Sequence, residues 1–435
     1  MKTERISDSE DHITKEAVSH STTSLINADS VLIVTRSGIL RHTLPVAVNS
    51  VSVTVNQDLK ALTPRNGILA EYVAWALRAF SRDILHTCAK QGTTVNSVET
   101  SKLLGFEIPV APRGQQAKIV AEIEKQFSRL HEAIANLKRV KANLKRYKAA
   151  VLKAAVEGKL TEDWREQHPD VEPASELLKR ILAARRGKWE AEELVKVKAQ
   201  GKKLKKEKWK ENYKRPADYL GEDPPELPAN WIWSSLESIA DVIDPNPSHR
   251  MPKYVESGTP FISSENFIGQ EGIDFSVGKQ VSNKTLKEQK ERFAIEEGDF
   301  ALSRIGTIGK TRFLPAGPVY CLSHALVIIK TLSSEIDRRF LRYVIASDAT
   351  IEQAKLGVQS VGVPDLGMAK IRSFRIPLTC LREQNVIVEV IEARLTVIRE
   401  VEQQVDTSLS RADSLRQATL RKAFSGRLLF NGARR

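Results

Sequence analysis

Three short segments carry residue types that do chemistry in other settings. Gly306-Thr307-Ile308-Gly309-Lys310-Thr311 ends like a phosphate-binding loop, in which backbone N–H groups cradle phosphates and the lysine reaches the terminal ones. That pattern also needs a glycine five residues before Gly309, and Arg304 stands there. Asp244-Pro245-Asn246-Pro247 comes near the Asn/Asp-Pro-Pro-aromatic sequence of amino-group methylation, but it lacks the aromatic that stacks on the base and no glycine-rich cofactor loop accompanies it. Glu288-Gln289-Lys290 fits half of a nuclease Glu-x-Lys pattern, with no Pro-Asp pair before it. The eight histidines are scattered without metal-ligand spacing, and no Gly-x-Ser-x-Gly elbow occurs. Cys88, Cys321 and Cys380 are odd in number and far apart, which points to reduced, buried thiols. No segment completes a catalytic set.

Recognition chemistry fits better. The chain has a net charge of +13 and a pI near 9.5, which calls for a polyanionic partner, nucleic acid first. Between Lys196 and Arg215, ten basic residues face Glu207 and Glu211, so much of the excess sits in one segment that also reads as a solvated helix or tether. Base readout needs side chains with fixed donors and acceptors on loops. Thr35-Arg36-Ser37-Gly38 and Ser303-Arg304-Ile305-Gly306-Thr307 are matching strand-to-loop segments whose arginines either fork onto guanine or phosphate or pair with a local carboxylate. Further candidates for DNA contact are Lys310, Ser323, His324, Gln359 and Ser360, and earlier in the chain Arg41, Asn49, Thr93, Thr94 and Asn96.

The elements that must hold these residues come in two copies. At an offset of 268, Phe106-Glu107-Ile108-Pro109 falls on Phe374-Arg375-Ile376-Pro377, Gln116 on Gln384 and Gly158 on Gly426. Residues 106–160 give 14 identities in 55 positions without a gap, far above a chance rate of roughly one in seventeen for random pairing. The match extends back to Arg36 on Arg304 and Ile13 on Val281. Each copy opens with short β-branched runs such as SVLIVTRSGIL and PVYCLSHALVIIK, broken by helical stretches such as ILAEYVAWALRAFSR. This predicts a small α+β unit with a curled or barrel-like sheet.

Each copy closes with a long helix. Apolar positions run Ile123, Phe127, Leu130, Ile134, Leu137, Val140, Leu144, Tyr147, Val151 in the first and Ile387, Ile391, Leu395, Ile398, Val401, Val405, Leu409, Ala412, Leu415 in the second. These are steps of three and four, a heptad seam. The spacing predicts helices over 115–157 and 383–425 with Gly158 and Gly426 as C-caps. Two such seams predict an antiparallel pair with a pseudo-two-fold axis and a globular unit at each end, with Leu130, Ile134 and Leu137 against Val401, Val405 and Leu409. The interface positions singled out are Ile123, Leu130, Ile134, Leu137, Leu144, Ile391, Ile398, Val405 and Leu409. Four prolines within 216–228 mark a boundary before Trp231-Ile232-Trp233.

This order of features resembles the specificity subunit of Type I restriction–modification systems over essentially the whole chain. Phe374-Arg375-Ile376-Pro377 followed by Glu383-Gln384 and Ile387 is similar to that family's junction between recognition domain and helix, with Gln115-Gln116 a mild departure in the first copy. Gly158-Lys159-Leu160-Thr161 with Trp164-Arg165, and Leu227-Pro228 with Trp231-Ile232-Trp233, resemble its helix exit and second-domain entry. The resemblance implies two target-recognition domains of α+β fold: 1–112, then a long helix over 113–160, a connector over 161–230, the second domain over 231–380 and the second helix over 381–430. It implies a non-catalytic protein that binds a bipartite site in double-stranded DNA; the N-terminal MKTERISDSEDHITKE has no apolar secretory core, so the cytoplasm is the expected location. Methyltransferase subunits and restriction/translocase subunits would be its partners, with S-adenosylmethionine, ATP and magnesium on those partners and no cofactor in this chain. No apolar run suits a membrane span. Because Met1 falls on Gly269, positions 231–268 have no counterpart, and the first recognition domain is expected to lack its opening segment. The alternatives are a coiled-coil adaptor that binds protein and a stand-alone enzyme. Neighbouring genes for a methyltransferase and a helicase–nuclease would argue against the first, and a cofactor or metal requirement of the lone chain would argue for the second.

Overall fold

The computed structural model describes residues 3–90, 92, 95–199, 207–219, 224–248, 251–269, 271–356 and 364–429. The chain divides into two compact units. The first comprises Met1–Ala142 and Glu402–Arg435, the second Asn143–Val401. The expected division ran along the chain; the observed boundary cuts both long helices.

In the first unit, strands β1 (Arg5–Ile6), β2 (Val31–Val34), β3 (Val46–Asn49) and β4 (Leu59–Leu62) form one sheet in the order β1-β3-β2-β4. β2 is buried along most of its length because its valine, leucine and isoleucine side chains meet helix α1 (Ala70–Ala79) in a core with Leu40, Leu44, Val73 and Leu77. A small separate sheet joins Arg36–Ser37, Asn96–Val98 and Ala89–Lys90. Helix α2 (Arg113–Val156) then begins, and its first turns pack Ile119, Val120, Ile123 and Phe127 against Tyr72 and Trp75.

The second unit receives the rest of α2 and the connector helix α3 (Ala174–Ala199), which buries Ala174, Leu177 and Ile181 in the core, while Lys196 and Lys198 at its end, in the run read as a solvated helix or tether, are exposed. Next come β5 (Ile232–Ser235), the single turn α4 (Leu236–Ile239), β6 (Ala240–Ile243), β7 (Phe300–Ser303), β8 (Thr311–Phe313), β9 (Leu326–Thr331), α5 (Arg338–Ile345) and β10 (Arg375–Leu378). The main sheet has the order β8-β7-β9-β6, and β10 pairs separately with β5. Tyr254–Val255, Lys279–Val281, Thr259–Ile262 and Cys321–Leu322 make a second four-stranded sheet. The strands are two to six residues long and their sheets are open, so the expected barrel-like closure is replaced by several short sheets.

The duplication is preserved in register. β2 pairs with β4 as Leu32↔Ala61 and Ile33↔Lys60; β7 pairs with β9 as Phe300↔Ile329 and Ala301↔Ile328, each residue 268 positions later. The second long helix, α6, spans Leu381–Phe424. Within the first unit Thr419 bonds Gln126 at 3.3 Å and Lys141 bonds Asp406 at 2.6 Å, so position falls along α6 as it rises along α2 and the helices are antiparallel. Leu130–Leu137 thus lies beside Leu409–Arg416, and of the expected run only Leu409 meets it. Within the second unit Leu144, Val151, Leu152, Ala155 and Val156 of α2 share a core with Ile387, Ile391, Leu395 and Ile398 of α6. Val405 is buried, whereas Val140, Tyr147 and Leu415, read as seam positions, are exposed. Gly158 and Gly426 have φ of 69° and 74°, and the next residues donate back to Ala154 and Lys422, the expected left-handed C-caps.

Candidate nucleic-acid interface

The two matching arginines diverge. Arg304 follows β7, where the chain turns in beneath three loops, and it is 2% exposed. Its Nε donates to the His324 carbonyl at 2.9 Å and its guanidinium also reaches the Leu366 carbonyl at 3.3 Å. Asp244 and Asp365 carboxylates lie 3.6 and 3.7 Å away. Backbone bonds from Arg304 to Ala325, Leu366 to Arg304, and Gly306 to Pro364 fasten the same loops. Arg304 is therefore an internal tie, the local-carboxylate alternative of the two weighed for it. Burying a guanidinium is tolerated only with such a set of acceptors. Arg36, its counterpart, is exposed at the start of the small Arg36–Ser37 strand, and no ion pair holds it among the described residues.

The remaining candidates sort the same way. Ser303 is buried; its Oγ donates to the Thr307 carbonyl and accepts from Lys310 N at 2.9 Å, closing the β7–β8 turn. Ser323 is buried and accepts from Ala325 N at 3.2 Å, and His324 is half-buried with its carbonyl on Arg304. Asn49 is fully buried, accepting from Ser30 N at 2.9 Å and donating to the Asn27 and Val51 carbonyls at 2.8 Å. Asn49, Ser303, Arg304 and Ser323 thus spend their side-chain hydrogen bonds on holding loops. Arg36, Arg41, Thr307 and Lys310 are exposed, Ser37 and Asn96 half-buried. Thr93, Thr94, Gln359 and Ser360 lie outside the described residues.

The three catalytic look-alikes are also structural. Gly306 and Gly309 have φ of 73° and 91° and build the turn between two antiparallel strands, not a loop ahead of a helix. Asp244 accepts from Asn246 N at 2.8 Å and faces Arg304. Gln289 is buried, exchanging bonds of 2.8 and 2.9 Å with the Leu322 backbone. Among the described residues no group of three or more His, Cys, Asp or Glu could hold a metal ion, and no helix is long and apolar enough to cross a membrane.

Two buried side chains at the helix starts escaped notice as contacts. Gln116 accepts from Leu69 N at 3.0 Å and donates to the Ala111 carbonyl at 2.7 Å. Gln384 accepts from Asp337 N at 2.8 Å and donates to the Thr379 carbonyl at 2.7 Å, each partner again 268 residues on. Each glutamine therefore ties the first turn of a long helix to the residue that precedes α1 or α5. Glu383 beside it is buried and gathers Trp231 Nε1 at 2.8 Å, Thr161 Oγ at 2.7 Å, Arg165 at 2.7 Å and the Thr379 hydroxyl. Its counterpart Gln115 is exposed. The identity of Gln116 with Gln384 was the available signal; Glu383 stood out only as part of the family's junction, without any sign that its charge is buried.

Two α+β units thus each feed a long helix through one glutamine clamp, and basic and polar side chains are exposed on their loops. Residues 2–142 and 228–409 match the family described as the Type I restriction modification DNA specificity domain, and the chain belongs to that family. It is 43% identical over 129 residues to the EcoR124I/EcoR124II specificity subunit of Escherichia coli, covering 30% of this chain and 32% of that one. It is 22% identical over 371 residues to the EcoDI specificity subunit of E. coli, covering 83% of this chain and 70% of the relative. A chain solved in a study of complex assembly and conformational transition of the type I R-M system shares the fold, with a TM-score of 0.63 at 16% identity over 94% of this chain and 85% of the other.

Proposed function

We propose that this chain selects the DNA site for a Type I restriction–modification enzyme and leaves the chemistry to its partners. The observation that carries this reading is that the family match covers both copies of the duplicated unit. Each unit reads one half of a bipartite site, and exposed Arg36 and Arg41 in the first and Thr307 and Lys310 in the second are the contacts we assign. Methyltransferase subunits bind this chain and restriction/translocase subunits join them, in the cytoplasm. S-adenosylmethionine, ATP and magnesium serve those subunits.

The test is to co-purify the chain with its methyltransferase subunit and to select bound duplexes from a random library at fixed salt. A consensus in two blocks with a constant gap is expected, together with absence of nuclease, ATPase and methyltransferase activity in the chain alone. Co-purification without any sequence preference would leave the adaptor reading and overturn this one.

A further inference from the structure

The two copies differ in the strand that lies beside the matching arginines. In the first unit Arg36 stands opposite Ser97, and Val98 N donates to the Thr35 carbonyl at 2.7 Å. In the second unit Ile305 stands opposite Asp365, and Leu366 N donates to the Arg304 carbonyl at 3.0 Å. Asp365 is the counterpart of Ser97 at the offset of 268, so the pairing has slipped by one residue. Such a slip turns side chains to the opposite face. The change of register goes with the change of direction: Arg36 is exposed and Arg304 is buried.

The exchange inverts what each unit offers at this place. The first presents an exposed guanidinium with a half-buried serine opposite it. The second withdraws the guanidinium and brings a carboxylate to the surface. The Asp365 side chain is 51% exposed, and its Oδ1 lies 3.7 Å from Arg304 Nη1. Among the described residues no hydrogen bond is made to that carboxylate, so its acceptor positions are open. Gly306 N donates to the Pro364 carbonyl at 3.0 Å, which fastens Asp365 beside the turn that carries exposed Thr307 and Lys310. A carboxylate facing DNA is ordinarily repelled by phosphate. The buried guanidinium on its inner side offsets that repulsion and holds its direction, as readout of a base requires.

We propose that Asp365 is a specificity-determining residue of the second unit, accepting a hydrogen bond from the exocyclic amino group of a cytosine in the major groove. This rests on the reading of the chain as a selector of DNA sites. An ionised carboxylate accepts and cannot donate. Cytosine presents only its 4-amino donor in that groove. Adenine sets its N7 acceptor beside the amino group, and guanine shows N7 and O6, all of which repel a carboxylate. The first unit, with Arg36 at the surface, offers donors at the equivalent place and suits guanine. The two half-sites are thus read with opposite hydrogen-bond polarity at one matching position.

The test is selection from a random duplex library at fixed salt by the chain co-purified with its methyltransferase subunit, as wild type, Asp365→Ser and Asp365→Asn. Asp365→Ser installs the residue of the first copy. It should lower the preference for cytosine at one position by at least about fivefold and leave the other block unchanged. Asp365→Asn should turn that position towards adenine, whose N7 and N6 an amide meets with a donor and an acceptor. Synthetic duplexes in which that cytosine lacks its 4-amino group should bind the wild type at least about fivefold more weakly, a loss that shrinks to within about twofold in Asp365→Ser. Arg304 keeps its bonds to the His324 and Leu366 carbonyls in both variants, so their thermal melts should match the wild type. If a variant melts early, the wild type on amino-deleted duplexes decides: no cytosine in either block whose amino group matters would overturn the proposal. So would an unchanged consensus in both variants, a wild-type requirement for adenine or guanine at the altered position, or affinity lost equally over all sequences, the mark of a purely structural carboxylate. A wild type that selects no consensus at all would overturn the site-selector reading itself, and this assignment with it.

Discussion

Arg304 and Arg36 occupy the same place in the repeat and do opposite things. Removing Arg304 takes the cation away from the 10%-exposed Asp244 side chain and the donor away from two loop carbonyls, so Arg304→Ala is expected to cost on the order of 3–5 kcal/mol of unfolding free energy, the usual cost of breaking one side of a buried pair. Arg36→Ala should alter stability by less than about 0.5 kcal/mol, as at other open surface sites. If Arg36 touches a base, the same change weakens specific DNA binding by about 1–3 kcal/mol. Urea denaturation beside duplex titration separates the two, and a stable Arg304→Ala chain would contradict the internal tie. The cysteines offer a second check. Cys88, Cys321 and Cys380 are buried and form no disulfide, and burial pushes the Cys321 thiol up to about 11. Thiolate is the reactive species, so iodoacetamide at pH 8 should leave Cys321 intact in the native chain and alkylate it in urea. Mass spectrometry reads the outcome; rapid native labelling would show the site is open. The sequence identified both arginine loops but not the direction of either side chain. Direction at Arg304 is set by Asp244 and Asp365, which are remote in the chain and have no visible pattern with it.

At the scale of elements, Glu383 makes the larger prediction. Glu383→Ala leaves Trp231 Nε1, Thr161 and the half-buried Arg165 without their acceptor, and should cost on the order of 3–5 kcal/mol. Gln115→Ala, at the exposed counterpart, should change stability by less than about 0.5 kcal/mol. Thermal melts of the two variants test the asymmetry, and equal losses would sink it. The Lys141–Asp406 bridge is about half exposed on both sides, so a double-mutant cycle there should give less than about 1 kcal/mol of coupling. The long helices, their capping glycines and their apolar spacing were all legible, because periodicity and caps are local signals. Their register was not. A three–four pattern slides by a heptad at little loss of contact, and what fixes it here are polar pairs, Gln126 with Thr419 and Lys141 with Asp406. The exposed Val140, Tyr147 and Leu415 show the same limit: they continue the pattern but stay open to solvent.

For the whole molecule, charge decides how binding responds to salt. The chain carries +13, and Lys196–Arg215 contributes a net +8 of it. Each phosphate neutralised adds roughly −0.9 to the slope of log K against log salt. Replacing Lys202, Lys203, Lys205 and Lys206 by Gln should therefore make that slope shallower by up to about 4 if all four meet phosphate, with the preference between specific and scrambled duplexes unchanged. Duplex titrations from low to moderate salt measure both. A lost preference with an unchanged slope would place bases, not phosphates, at this run. The duplication, the α+β class and the family were readable from sequence because 14 of 55 positions survive at one fixed offset. The cut of both long helices between two compact units was not, since a continuous helix has no sequence mark where its neighbours change.

The two glutamine clamps bear on how such a molecule drifts. Gln116 and Gln384 address only main-chain atoms, the N–H of Leu69 or Asp337 and the carbonyl of Ala111 or Thr379. Main-chain atoms are the same whatever side chain they carry, as the leucine and aspartate at the two N–H positions already show. Each clamp is thus indifferent to the side chains of the residues it holds and depends only on the glutamine itself. Selection can rewrite what the loops read while the angle at which each loop is presented is inherited unchanged.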